Sequence, residues 1–529
     1  MNLLTRAIAC ACAASVTATT VRAQSFPTVD PVVRQLYDQG MRHSQAETLA
    51  QVLTDSIGPR LTGSPANHAA NAWLLRTYTA WAIPARNEQY GTWRSWARGP
   101  SSVALVAPRP RQLEATMLAW SATTPPAGVT GDVVALPPAS ETRDSAGFDR
   151  WLSTIKGKFV LVSVPLATCR PDTNWAFWAS PESYSAMRAA RDSARADHAH
   201  RLAVAGHDPE ALLGRLVAAG PAGLLGSTWS DGWGVDKIKA ADQTTIPSFD
   251  VSCEDYGLLS RLADHGQHPR VHAVASADVA PAEVPVYNTV AELKGTEHPD
   301  EYVVLSAHQD SWDAGSGATD NGTGTIIVLE AMRLLKQAYP HPKRTILAGH
   351  WSGEEQGDIG STSFVNAHPE VVSGLQAAFN QDNGTGPIDS IDTDGFLDAP
   401  GAFARWMARM PDELTAGITI DEPGYAKNED SDSDAFSCHD APGFFLTSSD
   451  YDYTDYTWHT NRDTFDKINF AEVRRNATMI AILAYEASED PQRLSRARRL
   501  PPTDPKTGKR LPPPSCEQPP RSWAAAWKH

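Results

Sequence analysis

Apolar residues recur at three- and four-residue spacing in two early stretches, QAETLAQVLTDSI and ANHAANAWLLRTYTAWA, with the breaker GPRLTGSP between them. That spacing predicts two helices flanking a rigid loop between Pro27 and about Ala82. From about Thr130 to Ala282 the texture shifts to short β-like runs, GDVVAL, KGKFVLVSVPL and AGLLGS, with helical patterns in LLGRLVAAG and EDYGLLSRLADHG. Pro-, Ala- and Thr-rich segments, WSATTPPAGVT and ADVAPAEVPVYN, bound this stretch as inter-domain connections do, so it reads as a separate small α/β or β-rich module. After Val284, near-continuous apolar runs (EYVVLSA, TILAGHWS, LQAAFNQ) alternate with amphipathic ones (GTGTIIVLEAMRLLKQA, STSFVNAHP). Strands apolar on both faces and separated by helices predict an α/β fold, a mainly parallel mixed sheet with helices on both faces. A last helix, FAEVRRNATMIAILAYEAS, ends at about Glu489, and the Pro-rich, polar RLPPTDPKTGKRLPPPSCEQPPRS beyond it is expected to be extended. The expected organisation is therefore a leader over 1–23, the N-terminal part of the main domain over 24–128, an insert over 129–283, the main domain over 284–490 and a tail over 491–529.

Length adds that 529 residues are ample for a large core, and 41% apolar with 20% charged residues is the mix of a folded enzyme. The net charge of −16, with no run of five or more Lys or Arg, makes nucleic acid and anionic membranes poor partners. The leader MNLLTRAIACACAASVTATTVRA has Arg6, a small-residue apolar stretch and Val21-Arg22-Ala23 before Gln24, the pattern of a secretory signal peptide removed after Ala23. No later stretch reaches the roughly 18 apolar residues that span a bilayer, so a secreted or periplasmic protein is expected. Cys169, Cys253, Cys438 and Cys516 then remain, wide apart and without a Cys-x-x-Cys pair. They admit up to two disulfides in three connectivities, and the sequence does not choose among them.

Ligands of an open parallel sheet gather beyond the carboxyl ends of its strands. Three successive strands here end at His308-Gln309-Asp310, at Glu354-Glu355 and at Asp382. Each is an ordinary turn taken alone, but the series delivers His, two Glu and Asp to one rim. Asp320, in the Gly-rich loop GSGATDNGTG, can fold back over the first strand end or act as a helix N-cap. His459, in YTDYTWHTNRDTFD, precedes the final helix. Two His, two Asp and one Glu, with one carboxylate shared, supply three donors to each of two borderline metal ions and leave one glutamate over for proton transfer. Two metals with a spare carboxylate suit amide hydrolysis.

The stretches HQDSWDAGSGATDNGTG, GEEQGDIGS, NQD and WHTNRDT resemble the metal and Glu-Glu motifs of the co-catalytic di-zinc exopeptidases, the family of secreted bacterial aminopeptidases and plasma glutamate carboxypeptidase (carboxypeptidase Q). IGPRLTGS is similar to a loop of that family, and the 129–283 module resembles a protease-associated domain. The resemblance implies a phosphorylase/hydrolase-like zinc exopeptidase fold and two zinc ions per subunit. His308, Asp320 and Asp382 would hold one ion, and Asp320, Glu355 and His459 the other. It makes Glu354 the general base, Asp310 a support for His308, and the Asp320-Asn321 bond cis. Short peptides are the implied substrates, and a homodimer is plausible by analogy. Two departures stand out. The family often has a Tyr before its last histidine, but this chain has Trp458, leaving Tyr456, Tyr453 and Trp458 as oxyanion or substrate candidates. In SDSDAF, Ser433 replaces a common histidine.

Three readings follow. The first is an aminopeptidase or dipeptidase. The second is a carboxypeptidase, which needs a cation for the terminal carboxylate, with Arg60, Arg462 and Lys427 as candidates. The third is a non-catalytic receptor-like protein on the same scaffold, against which the complete donor set argues. Trp312, Trp351 and Trp458 lie close in sequence to the donors and are expected to wall the pocket.

Overall fold

Valine and isoleucine runs buried on both sides set the middle of the sheet, and the computed structural model shows how the rest of the chain is built around them. It describes residues 26–137, 145–205, 209–422 and 424–527, so the leader and its cleavage after Ala23 lie outside the described residues. The strands are β1 (Ala85–Ala107), β2 (Arg111–Leu113), β3 (Ala115–Met117), β4 (Val129–Ala135), β5 (Phe159–Leu161), β6 (Gly223–Gly226), β7 (Ser248–Val251), β8 (Arg270–Leu293), β9 (His298–His308), β10 (Arg344–Trp351), β11 (Leu375–Asn380), β12 (Ile388–Ile391), β13 (Thr419–Ile420) and β14 (Gly443–Ser448). One sheet joins them in the order β13-β12-β14-β11-β9-β10-β8-β4-β5-β6-β7-β3, with β1 along β8. Its centre, β14-β11-β9-β10, is parallel, flanked by antiparallel β12 and β8.

Side chains alternate along each central strand. Val303, Leu305 and Ala307 face a core built with the helices Thr323–Ala338, Phe470–Glu489, Pro31–Arg42 and Pro65–Ala80. Val304, Leu347 and Trp351 face the opposite core with Phe364, Val371 and Phe436. With both faces covered, function is left to the rim where the strands end.

The boundary expected at 128/129 does not coincide with a break in the structure. β1 and β8 form a 23- and 24-residue antiparallel ribbon that runs from the central sheet into the module. Trp96, Val103, Leu105 and Met117 pack there with Phe159, Leu161 and Phe249. The module also carries a helix, Pro181–Ala205, that no apolar stripe announces because most of its positions are solvated. Disulfides join Cys169 to Cys253 and Cys438 to Cys516. The tail is largely irregular and returns to the body of the protein. Arg521 O accepts from Thr92 N–H at 2.9 Å, and Trp523 buries itself against Trp93 and Trp120.

Candidate metal centre

His308 is the last residue of β9 and is buried. Its Nδ1 lies 3.1 Å from the carbonyl oxygen of Asp310, an acceptor, which places a ring proton on Nδ1 and turns Nε2 toward the rim. Nε2 is 3.2 Å from Asp382 Oδ1, 3.5 Å from Asp320 Oδ1 and 3.8 Å from Glu354 Oε2. On the other side His459 Nε2 is 3.0 Å from Glu355 Oε2 and 3.3 Å from Asp320 Oδ2. Donor atoms of His308, Glu354 and Asp382 thus form one trio within 4.8 Å, those of Asp320, Glu355 and His459 a second, and Asp320 turns one oxygen toward each histidine.

Each donor is held by the fold. Asp382 follows β11 and its Oδ2 accepts from Ser431 Oγ at 2.8 Å. Asp320 sits in the tight turn Ala318–Gly322, its bond to Asn321 is cis, and its N–H donates to Asp463 Oδ2 at 3.0 Å. Asp310, fully buried, takes Thr62 Oγ1 at 3.0 Å on Oδ2 and the N–H of Glu354 at 3.4 Å on Oδ1, so it supports the base candidate as well as the His308 strand end. Arg60, expected as a partner for a substrate carboxylate, is instead wholly buried and donates to the carbonyls of Gly58, Gln309, Ser316 and Gly317. It staples the donor loop from beneath. Lys427 is engaged by Asp392 and Glu429, and Arg462 by Gly234 O and Glu114, so neither lines the cleft.

The electrostatics fit paired cations. Burial drives Glu354 well above the usual carboxylate range and Glu355 up to about 7, with Asp382 and Asp320 respectively adding like charge. Burial would lower His308, yet Glu354 and Asp382 hold it well above its ordinary value. Asp320 is held low, against burial, by His308 and His459. Asp320 Oδ2 and Glu355 Oε1 are buried without a hydrogen-bond donor. Five carboxylate and imidazole donors with stranded oxygens are the set that two borderline divalent ions satisfy.

The donors open on a cleft of about 640 Å3. Trp458 lines it, 40% exposed, whereas Trp351 is buried with its Nε1 on Ser306 Oγ, and Trp312 is buried at 6.0 Å from the His459 ring. Proximity in sequence therefore misplaced two of the three tryptophans. Of the tyrosines, Tyr453 lines the cleft together with Asp320. Its ring rests on Gly384, where a Cβ would come within 2.8 Å. Tyr456 packs instead near Gly232 of the module. Buried Ser433 leaves its hydroxyl without a partner. Sequence reasoning assigned no role to Thr62, Ser431, Asp463 or Lys237. Asp463 lay inside the quoted WHTNRDT motif, the one signal that could have found it.

A sheet that brings two histidine and carboxylate trios to one rim offers two metal sites, and the proteins this chain resembles make it a zinc metallopeptidase. Residues 288–484 match the model of peptidase family M28, and the chain is similar to the co-catalytic zinc exopeptidases. Carboxypeptidase Q of Mus musculus is 26% identical over 446 residues, covering 84% of this chain and 86% of that protein. The structure of a peptidase M28 precursor from Shewanella amazonensis SB2B superposes with a TM-score of 0.65 at 23% identity, covering 89% of this chain and 98% of the other. A zinc aminopeptidase from Bacillus subtilis gives 0.56 at 16% identity, covering 86% and 96%.

Proposed function

We propose that this metallo-exopeptidase removes residues from the free amino end of short peptides, dipeptides included. The observation that carries the reading is the wall of the cleft. Beyond the donors it presents Asp430 and Asp450, with Glu429 already paired to Lys427, and none of the described residues lining it is Lys or Arg. Such a wall attracts a terminal ammonium and repels a terminal carboxylate. The Mus musculus relative, named a carboxypeptidase, favours the opposite polarity. That reading needs a cation that Arg60, Lys427 and Arg462 do not supply.

Within this proposal His308, Asp320 and Asp382 hold one zinc, and Asp320, Glu355 and His459 the other. Bound there, the ions would supply Lewis acidity to polarise the scissile carbonyl and lower the pKa of water. Glu354, free of the donor set in this assignment, takes the proton of the attacking water and returns it to the leaving amine. Asp310 fixes the Glu354 main chain. Tyr453 donates to the carbonyl oxygen as negative charge develops on it. The 129–283 module, read as a protease-associated domain, borders the cleft through its contact with the His459 loop. The leader-like first 23 residues and two disulfides support export, and no helix among the described residues is long and apolar enough to cross a membrane.

The test is a parallel assay of a free dipeptide, its N-acetylated form and its C-amidated form, each with chelator and with zinc restored. Cleavage of the free and amidated forms, but not the acetylated one, is expected. Cleavage of the acetylated form alone would establish the carboxypeptidase reading instead.

A further inference from the structure

The module does not merely border the cleft; one of its segments is bonded to the loop that carries His459. Lys237 N–H donates to Asp250 Oδ2 at 3.1 Å, and Thr116 Oγ1 donates to Asp236 Oδ2 at 2.8 Å, which anchor the segment to β7 and β3. From there Ile238 N–H donates to His459 O at 2.6 Å, while Asp236 and Asn461 exchange two bonds, Asp236 N–H to Asn461 Oδ1 at 3.0 Å and Asn461 N–H to Asp236 O at 3.1 Å. Lys237 Nζ donates to the carbonyls of Trp458 and Thr454 and sits 4.2 Å from the Trp458 ring centroid, itself 4.1 Å from the His459 ring. A lysine only 8% exposed thus spends its ammonium on one loop, its charge seated on an indole face.

His459 needs such support. Its φ is +56°, in the left-handed region that a non-glycine residue occupies only where its surroundings impose it. From the module side Lys237 and Ile238 hold Trp458 and His459, and Asp236 holds Asn461 just after them. Reciprocity then follows: whatever holds the loop favours the donor geometry at Asp320, Glu355 and His459, and a cation bound there favours the docked module.

We propose that Lys237 is a positioning residue for the metal centre, acting through Trp458 on His459 and coupling the module to one of the two metal sites. The inference rests on the zinc-binding reading of the preceding section. The test is zinc titration against a chromophoric chelator for the full chain and for Lys237→Met and Lys237→Arg. The wild type should bind two zinc ions. K237M should weaken one of them about tenfold or more, the scale expected of outer-sphere support, and leave the other unchanged. K237R should recover most of the loss, because a guanidinium can also reach two carbonyls and stack on Trp458. Hydrogen exchange on the wild type serves where K237M does not fold: removing zinc should speed exchange at the Ile238 amide and not at Leu225 in β6. Two equally tight zinc ions in K237M, or an Ile238 amide indifferent to zinc, would overturn the proposal. A wild type that binds no zinc would instead bring down the metal-centre reading itself, and this inference with it.

Discussion

Asp463 grips the main chain of Asp320. Its Oδ2 accepts the Asp320 N–H at 3.0 Å, and its Oδ1 accepts both the N–H and the hydroxyl of Thr319 at 2.7 and 2.8 Å. Burial drives the Asp463 carboxyl up to about 7, opposed first by the Thr319 N–H. The turn that sets the shared carboxylate is thus held by a residue four positions after His459, tying the two ends of the donor set together. Asp463→Asn keeps the shape but puts an amide donor where donors already point. We expect a loss of about 10- to 100-fold in zinc affinity or kcat, read by zinc titration beside steady-state kinetics.

Glu354 and Glu355 are neighbours in sequence with different surroundings. Both line the cleft, but Glu355 Oε2 is 3.0 Å from His459 Nε2, whereas Glu354 comes no closer than 3.8 Å to His308. Glu354→Gln should retain two zinc ions and lose about 10²–10⁴ in kcat, the range of a general base. Glu355→Gln should lose zinc. Metal analysis of both variants beside their rates checks the assignment. A Glu354→Gln variant that loses zinc would move that carboxylate into the donor set, where its place in the His308 trio makes it the alternative to Asp320.

Tyr453→Phe should lower kcat by about 10²–10³ with little change in KM, since the hydroxyl is asked to act on charge that appears only as the bond breaks. Tyr456→Phe, remote from the cleft wall, should leave both constants near wild type. Equal effects from the two would remove Tyr453 from the mechanism.

What could be read from the sequence follows from where each residue's partners lie. Central strands buried on both faces are continuous apolar runs, and a donor that ends such a run is visible in one dimension, as with His308, Glu354, Glu355 and Asp382. β1 and β8 were not visible because bulges between Gln89 and Gly91, Arg94 and Trp96, and Arg98 and Ser101 repeatedly reset the alternation that would mark a long strand. Arg60 invited the wrong role because charge predicts a carboxylate partner, while its actual partners are main-chain carbonyls that any sequence would supply. Lys237 and Asp463 act across more than 140 residues of chain, and no local pattern encodes such a contact.

The anchorage of the module predicts a pH dependence. Burial, then the negative charge of Asp250, drives Asp236 up to about 8; burial drives Asp250 up to about 7, opposed first by the N–H groups of Thr228 and Lys237. Both carboxyls ionise near 3.9 in an unfolded chain. The folded protein therefore keeps protons that the unfolded chain has released, and the stability they contribute is complete below about pH 4 and lost as pH rises to about 8. Asp236→Asn cannot ionise, so its thermal midpoint should fall less than that of the wild type between pH 5 and pH 8. The gap should stop widening above about pH 8, once both carboxyls are charged in either state. Thermal scans of the two proteins at one fixed zinc concentration, compared only as a difference, isolate this term from the proton release of metal binding. A gap that stays constant from pH 5 to pH 8 would mean that Asp236 is already ionised in the folded protein, and that a charge rather than a neutral carboxyl accepts from Thr116 to anchor this segment to β3.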